Sequence, residues 1–156
     1  IKYSLNQPKM GTSARRFFNK REKDEIQKAI LNAELDTSGE IRVHIETHCE
    51  AEVLDRAAYL FKKIGMQKTE LRNGVLIYLA VESKKFAIIG DKGINAVVPE
   101  NFWDDIKNRM AAHFEKKEFV LGLSEGIESA GKQLKKHFPR HSDDINELSD
   151  EISFGK

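Results

Sequence analysis

Seven successive uncharged residues, Val75-Leu76-Ile77-Tyr78-Leu79-Ala80-Val81, constrain this chain more than any other stretch. Such a run is rich in β-formers and short for a buried helix, so it predicts a central strand covered on both faces. A strand of that kind belongs inside a sheet with helices above and below it. Glu82-Ser83-Lys84 turns the chain and Phe86-Ala87-Ile88-Ile89 returns, which predicts strands over 75–81 and 85–90 joined as a hairpin. Ile41, Val43 and Ile45 alternate with Arg42, His44 and Glu46. That period predicts another strand over 41–47, apolar towards the core and polar towards water.

Helical spacing accounts for most of the remainder. Asn19 and Glu22 stand as a variant capping box before Ile26, Ala29, Ile30 and Ala33, predicting a helix over 20–35. Val53, Ala57, Leu60, Phe61 and Ile64 mark a second helix, with Gly65 placed for a left-handed cap. Phe102, Trp103, Ile106, Met110 and Phe114 mark a third, and Val120, Leu123, Ile127, Ala130 and Leu134 a fourth, stopped near Pro139. Met66 to Asn73 reads as a polar connection and Gly90 to Pro99 as a loop. Ile152 and Phe154 predict a short edge strand. The fold class is therefore α/β: a three-layer α/β/α sandwich around a small mixed sheet, with three strong strands and a fourth short one. Residues 1–18 read as an N-terminal arm anchored by Phe17 and Phe18, and residues 19–156 as one domain, the size expected for a chain of 156 residues.

Composition excludes several functions. Twenty-six basic residues against 25 acidic ones leave a net charge of +1, so no nucleic-acid partner is expected. Cys49 stands alone and forms no internal disulfide. No apolar run approaches the roughly 18 residues of a membrane span, so no membrane insertion is expected. A cytoplasmic monomer is the expectation.

The β-α-β unit from strand 41–47 to strand 75–81 requires a parallel pair, and the hairpin adds an antiparallel one. The start of the first strand, the start of the second and the end of the third therefore meet at one sheet edge. Glu40, Glu70, Asn73 and Asp91 collect there, with Asp104 and Asp105 in the first turn of the following helix. An oxygen-rich set suits Ca²⁺ or Mg²⁺ and not Zn²⁺. The same residues also suit plainer work: Glu40 and Asp91 as turn caps, Asp104 and Asp105 as complements to a helix N-terminus. His44, Glu46 and His48 with Cys49 do not make a zinc site, because His44 and His48 lie about 13 Å apart on a regular strand. A solvated polar face is the expected reading of His44, Glu46 and His48, and an ordinary half-buried thiol that of Cys49. Asp91, Gly93 and Asn95 open like an EF-hand loop, but Ala96 and Phe102 occupy the positions of its glycine and its bidentate glutamate.

Three stretches carry a family likeness: Thr37-Ser38-Gly39-Glu40-Ile41-Arg42-Val43, Arg72-Asn73-Gly74-Val75-Leu76-Ile77-Tyr78 and Ile88-Ile89-Gly90-Asp91-Lys92-Gly93-Ile94. Phe102-Trp103 and the tail Asn146-Glu147-Leu148-Ser149-Asp150-Glu151-Ile152 add to it. Together they resemble the TPM domain family, in particular its compact bacterial members. The resemblance implies an α/β/α sandwich, two loops that cross beside the sheet, and divalent-metal binding at the crossing in some members. It supports Asp91 and Asn73 most directly, and Glu40 within a matching stretch. Glu70, Asp104 and Asp105 rest on the sheet-edge geometry. The family also includes a thylakoid protein described as an acid phosphatase.

The leading expectation is a regulatory or interaction module whose crossing loops are tied by a divalent cation, Ca²⁺ first and Mg²⁺ second, and which serves an unidentified protein partner. The alternative is a divalent-metal phosphatase acting on phosphomonoesters. With no P-loop, aspartyl nucleophile motif or Ser–His–Asp spacing, hydrolysis is expected to be weak or absent. A third reading is a structural domain whose loops hold no metal.

Overall fold

The computed structural model describes residues 13–140 and 151–155. The first twelve residues of the arm and the tail stretch Asn146 to Asp150 lie outside the described residues. Four strands form one mixed sheet in the order β3-β2-β1-β4. They are β1 (Glu40–Glu46), β2 (Gly74–Ala80), β3 (Lys85–Gly90) and β4 (Ser153–Phe154). β1 and β2 are parallel with Val43 opposite Ile77, β2 and β3 antiparallel, and β1 and β4 parallel. Every residue of β2 is buried, as its uninterrupted apolar sequence requires of a central strand.

Helices cover both faces. α2 (Lys20–Glu34), α5 (Phe102–Glu115) and α6 (Phe119–His137) pack on one, where Ile26, Ile30, Ile106, Met110, Leu123 and Ile127 meet Ile41, Val43, Ile45, Val75 and Ile77. α3 (Val53–Ile64) covers the other, setting Ala57, Leu60 and Phe61 against Leu76, Tyr78 and Ala80. The short α1 (Ala14–Phe17) leads into Phe18, which is buried, while Phe17 meets Phe119 edge-on. The Asn19–Glu22 capping box forms in both directions. Gly65 ends α3 with a φ of 87°, a conformation glycine adopts without a Cβ penalty.

Two features depart from the sequence expectation. The segment read as a loop after β3 winds into a one-turn helix, α4 (Lys92–Asn95), and a 3₁₀ turn forms at Met66–Lys68. Single turns carry too few apolar repeats to register as a period. The second departure is larger. Most of the polar face of β1 is shut off from water: His44 is 6 % exposed and Glu46 only 3 %, while Arg42 is half-buried and only His48, past the strand, is exposed as expected. Cys49, expected half-buried, is 4 % exposed. Alternation reports that the two faces differ, not that the polar one is wet. In a sandwich the second face lies under α3, with β4 closing the edge of β1, so its polar groups must pair with one another.

Candidate functional site: two crossing loops at the sheet edge

The loop entering β2 and the segment leaving β3 cross at the edge of the sheet, and backbone groups stitch them together. Asp91 N–H donates to the Gly74 carbonyl (2.9 Å), Gly93 N–H to the Arg72 carbonyl (2.8 Å), and Glu40 N–H to the Asn73 carbonyl (3.4 Å). The approach at Gly93 is so close that a Cβ there would lie 2.1 Å from the Leu71 carbonyl oxygen and 2.5 Å from that of Arg72. Only glycine lets two backbones pass at that distance. Arg72 adopts a φ of 52°, a left-handed conformation rare for a residue with a Cβ. Thr69 Oγ1 accepts from Asn73 N–H (3.1 Å) inside the same loop.

Asp91 is the hub. Its carboxylate takes two parallel bonds from Arg72, Nε to Oδ2 at 2.7 Å and Nη2 to Oδ1 at 2.8 Å. It also accepts from Lys92 N–H (2.8 Å) and so caps α4. The fork geometry makes this the strongest type of side-chain pair, and it joins the two loops directly. Behind it, Asn95 donates to the Gly90 carbonyl (2.9 Å) and accepts from Trp103 Nε1–H (2.7 Å), tying the start of α5 to the crossing.

The predicted residues fall into two sets. Glu40, Asn73 and Asp91 come together through this backbone network, and all three are buried. The side chain of Asn73 donates to Ser38 Oγ (3.3 Å), while its Oδ1 is buried and accepts no hydrogen bond. Glu70 is exposed in the loop, and Asp104 and Asp105 are exposed on the first turn of α5. Those two aspartates occupy the place where a helix dipole favours negative charge. Among the described residues, no three His, Cys, Asp or Glu side chains gather so as to hold a metal ion.

Comparison with protein families matches the TPM domain over residues 12–133. The chain belongs to the TPM domain family. The TPM chain is similar to the NMR structure of BA42 from the psychrophilic bacterium Bizionia argentinensis, at 50 % identity and a TM-score of 0.82, over 89 % of this chain and 96 % of that one. It shares its fold with the N-terminal domain of a P. gingivalis protein, at 22 % identity and a TM-score of 0.63 over 80 % and 82 % of the two chains. The N-terminal domain of cg2496 from Corynebacterium glutamicum shares it too, at 13 % identity and 0.63 over 93 % and 94 %. No curated protein matches. Among the described residues, no helix is long and apolar enough to cross a membrane.

A second polar cluster, not anticipated from sequence, lies under α3. Arg56 reaches from α3 and holds the Glu46 carboxylate with two bonds, Nε to Oε1 at 3.0 Å and Nη2 to Oε2 at 2.5 Å. Tyr78 O–H donates to the same carboxylate (2.6 Å). His44 lies beside Tyr78 with the rings stacked at 6.2 Å. Burial alone would push the Glu46 carboxyl up, but the bonds from Arg56 and Tyr78 outweigh it and hold the group below the usual carboxylate range. Burial, then the Glu46 hydrogen bond, push the Tyr78 phenol well above its ordinary value. Burial likewise lowers the His44 imidazole, against the pull of Glu46. The signal for this cluster was present in the sequence: a strand of a two-sided sandwich carrying Arg42, His44 and Glu46 on one face.

Proposed function

We propose that this protein is a divalent-cation-responsive interaction module, with Ca²⁺ its best-suited ion, whose crossing loops shape the surface offered to a protein partner. The buried and unpaired Asn73 Oδ1 carries this reading. An amide oxygen without a donor, in a segment whose Arg72 and Gly74 carbonyls bond the Asp91 segment, is the donor type that hard cations take. Asp91 and Asn73 would be the side-chain ligands. Glu40, which joins the backbone network through its N–H, is a further carboxylate on that edge, and Glu70, Asp104 and Asp105 would act at longer range. Because side-chain carboxylates are few here, backbone carbonyls and water would complete the shell. Because Arg72 already engages both Asp91 oxygens, an ion would have to compete with that guanidinium. When bound, the ion would supply a cross-link between the two loops. Leu71 and Val97, large apolar side chains exposed on the two crossing segments, support a role in contacting a partner.

Titration of Ca²⁺ and of Mg²⁺ into chelator-treated protein, followed by amide shifts, tests the proposal. The expected result is saturable shifts confined to the 69–74 and 90–95 segments. If only the native state binds, the ion stabilises by about 2.7 kcal/mol at 100 times its dissociation constant. Asp91→Ala should abolish most of that gain, Asp91→Asn part of it, and His44→Ala none. No shift at millimolar ion, with an unchanged melting temperature, refutes it. The same stocks assayed with a phosphomonoester decide the phosphatase alternative: turnover near 1 per second or faster, lost in Asp91→Ala, would establish an enzyme.

A further inference from the structure

The shortest strand of the sheet closes over its most heavily charged interior. β4 lies along the outer edge of β1, with Ser153 opposite His44 and Phe154 opposite Ile45. Gly155 N–H donates to the Ile45 carbonyl (2.9 Å). Ser153 Oγ lies 2.7 Å from His44 Nδ1. Gly155 seats against the other end of the ring, where a Cβ would be 3.0 Å from His44 Nε2 and 2.6 Å from Glu46 Oε2. On the opposite face Arg15 and Lys23 lie over the Phe154 ring at 5.4 and 5.0 Å. A two-residue strand has few ladder bonds, and the His44 contact adds to them, as do the bond from Ser153 Oγ–H to the Val43 carbonyl (3.4 Å) and the packing of Ile152 and Phe154 on the core.

We propose that β4 is an acid-released clasp, opened by protonation of His44, which uncovers the outer edge of β1. Burial decides the direction: His44 is 6 % exposed, and taking the imidazolium out of water outweighs the pull of Glu46. Glu46 and Arg42 flank it on β1, Tyr78 faces it from β2, Arg56 from α3 and Ser153 from β4, with Cys49 in the same buried layer. His44 Nε2 is buried, makes no hydrogen bond, and stands 3.5 Å from Glu46 Oε2. Glu46 is the anion against the ring, its oxygens already taken by Arg56 and Tyr78, while Glu151, just before β4, acts on Arg42. A proton on His44 therefore adds a positive charge to a buried site whose carboxylate is already engaged, and Arg42 beside it is itself balanced by Glu151, so the cost is that of burying the new charge. Ser153, His44 and Glu46 follow the order of a hydrolytic relay, but Gly155 seals the imidazole's far nitrogen.

With the clasp open, His44 sits at a sheet edge in contact with water and takes up its proton near an ordinary pKa of about 6.5. The closed form binds fewer protons than the open one, so falling pH favours opening. The opening constant grows as one plus the ratio of protonated to neutral imidazole in the open form. That is about thirtyfold between pH 7.5 and 5 as an upper limit. The uncovered N–H and C=O groups of β1 would then present a template for another strand.

Amide hydrogen exchange on the intact chain between pH 7.5 and 5, corrected for intrinsic rates, reads the clasp at Gly155. The expected result is a loss of protection there of ten- to thirtyfold, while the Val75–Leu79 amides stay far better protected than Gly155 at every pH. His44 ring ¹⁵N shifts should titrate over the same window. His44→Gln keeps a partner for Ser153 without a titrating charge and should remove the pH step. Should that variant not fold, Ser153→Ala should start from lower protection and keep the step. Protection at Gly155 that is flat or rises as pH falls overturns the proposal, as does a ring that titrates above its ordinary value. A pH step that persists in His44→Gln also overturns it.

Discussion

Gly93→Ala asks whether the two loops cross as tightly as their backbones indicate. The added Cβ would lie 2.1 Å from the Leu71 carbonyl oxygen, and real Cβ atoms essentially never come within 3.0 Å, so the strands of the crossing must part by at least 0.9 Å. Both obstructing atoms are backbone, so no side-chain rotation relieves the clash. Overpacking of this kind costs about 1–3 kcal/mol. The Gly93 N–H bond to Arg72, 2.8 Å long, stretches beyond use, removing roughly another 0.5–1.5 kcal/mol. The sum, about 2–4 kcal/mol, corresponds to a fall in Tm of roughly 5–12 °C for a chain of this size. Differential scanning calorimetry measures the shift, with exposed Lys92→Ala as a control expected within about 0.5 kcal/mol. Amide exchange should localise the loosening to 69–74 and 91–95 while β1 and β2 stay protected. A Gly93→Ala protein that melts within a degree of the parent, with unchanged amide shifts at 69–74, would refute the crossing geometry.

The Glu46 cluster yields two further expectations. Arg56→Ala strands a buried carboxylate. Breaking a fully buried pair costs about 3–5 kcal/mol, and because the Arg56 side chain is 34 % exposed, water recovers part of that, leaving about 2–3 kcal/mol in urea denaturation. Tyr78→Phe removes one bond to a charged acceptor and should cost about 1.5–3 kcal/mol; less than half a kcal/mol in either variant would mean the cluster is not closed as described. The pH dependence follows from the same groups. His44 and Glu46 both titrate lower folded than unfolded, so their contributions are complete above about pH 6.5 and 4.5 and are lost as pH falls through the folded values. Tyr78 titrates higher folded, so its contribution is lost as pH rises past about 10. Urea midpoints should therefore fall from pH 7.5 to 5.5 and further by pH 4; a midpoint that rises between pH 7.5 and 5.5 contradicts the direction given for His44.

The parts of this molecule legible in sequence are those where a single physical variable decides. Val75 to Val81 had to be a central strand because nothing in it tolerates water, and Asn19 with Glu22 had to start a helix because both halves of the box are local. The crossing was legible in outline, since strand direction alone brings Glu40, Asn73 and Asp91 to one edge. Its chemistry was not. Whether Asp91 faces an ion or Arg72 depends on a φ of 52° at Arg72 and on the passage of Gly93, neither of which leaves a periodic trace. The Glu46 cluster was missed for a related reason. Its members Glu46, Arg56, Tyr78 and Ser153 come from four elements, and Tyr78 lay hidden within an apolar run.

That cluster also accounts for something apolar packing cannot. Ile41, Val43 and Ile45 facing Val75, Ile77 and Leu79 would pack nearly as well if β1 slid two residues along β2, because a shift of two keeps every side chain on its own face. The polar side breaks this degeneracy. In the observed register Glu46 lies opposite Ala80, one alternation beyond Tyr78, where the phenol and the Arg56 fork both reach its carboxylate. A slip of two residues, about 6.7 Å along the strand, would carry the carboxylate out of reach of both donors while leaving it buried. An unpaired buried charge costs several kcal/mol, more than a shifted apolar contact. The same register sets Glu40 opposite Gly74 and so fixes where the two loops meet. The buried charges of β1 thus place the crossing at the other end of the strand, and a sequence that replaced them with leucines would keep its core while losing the single alignment on which the site depends.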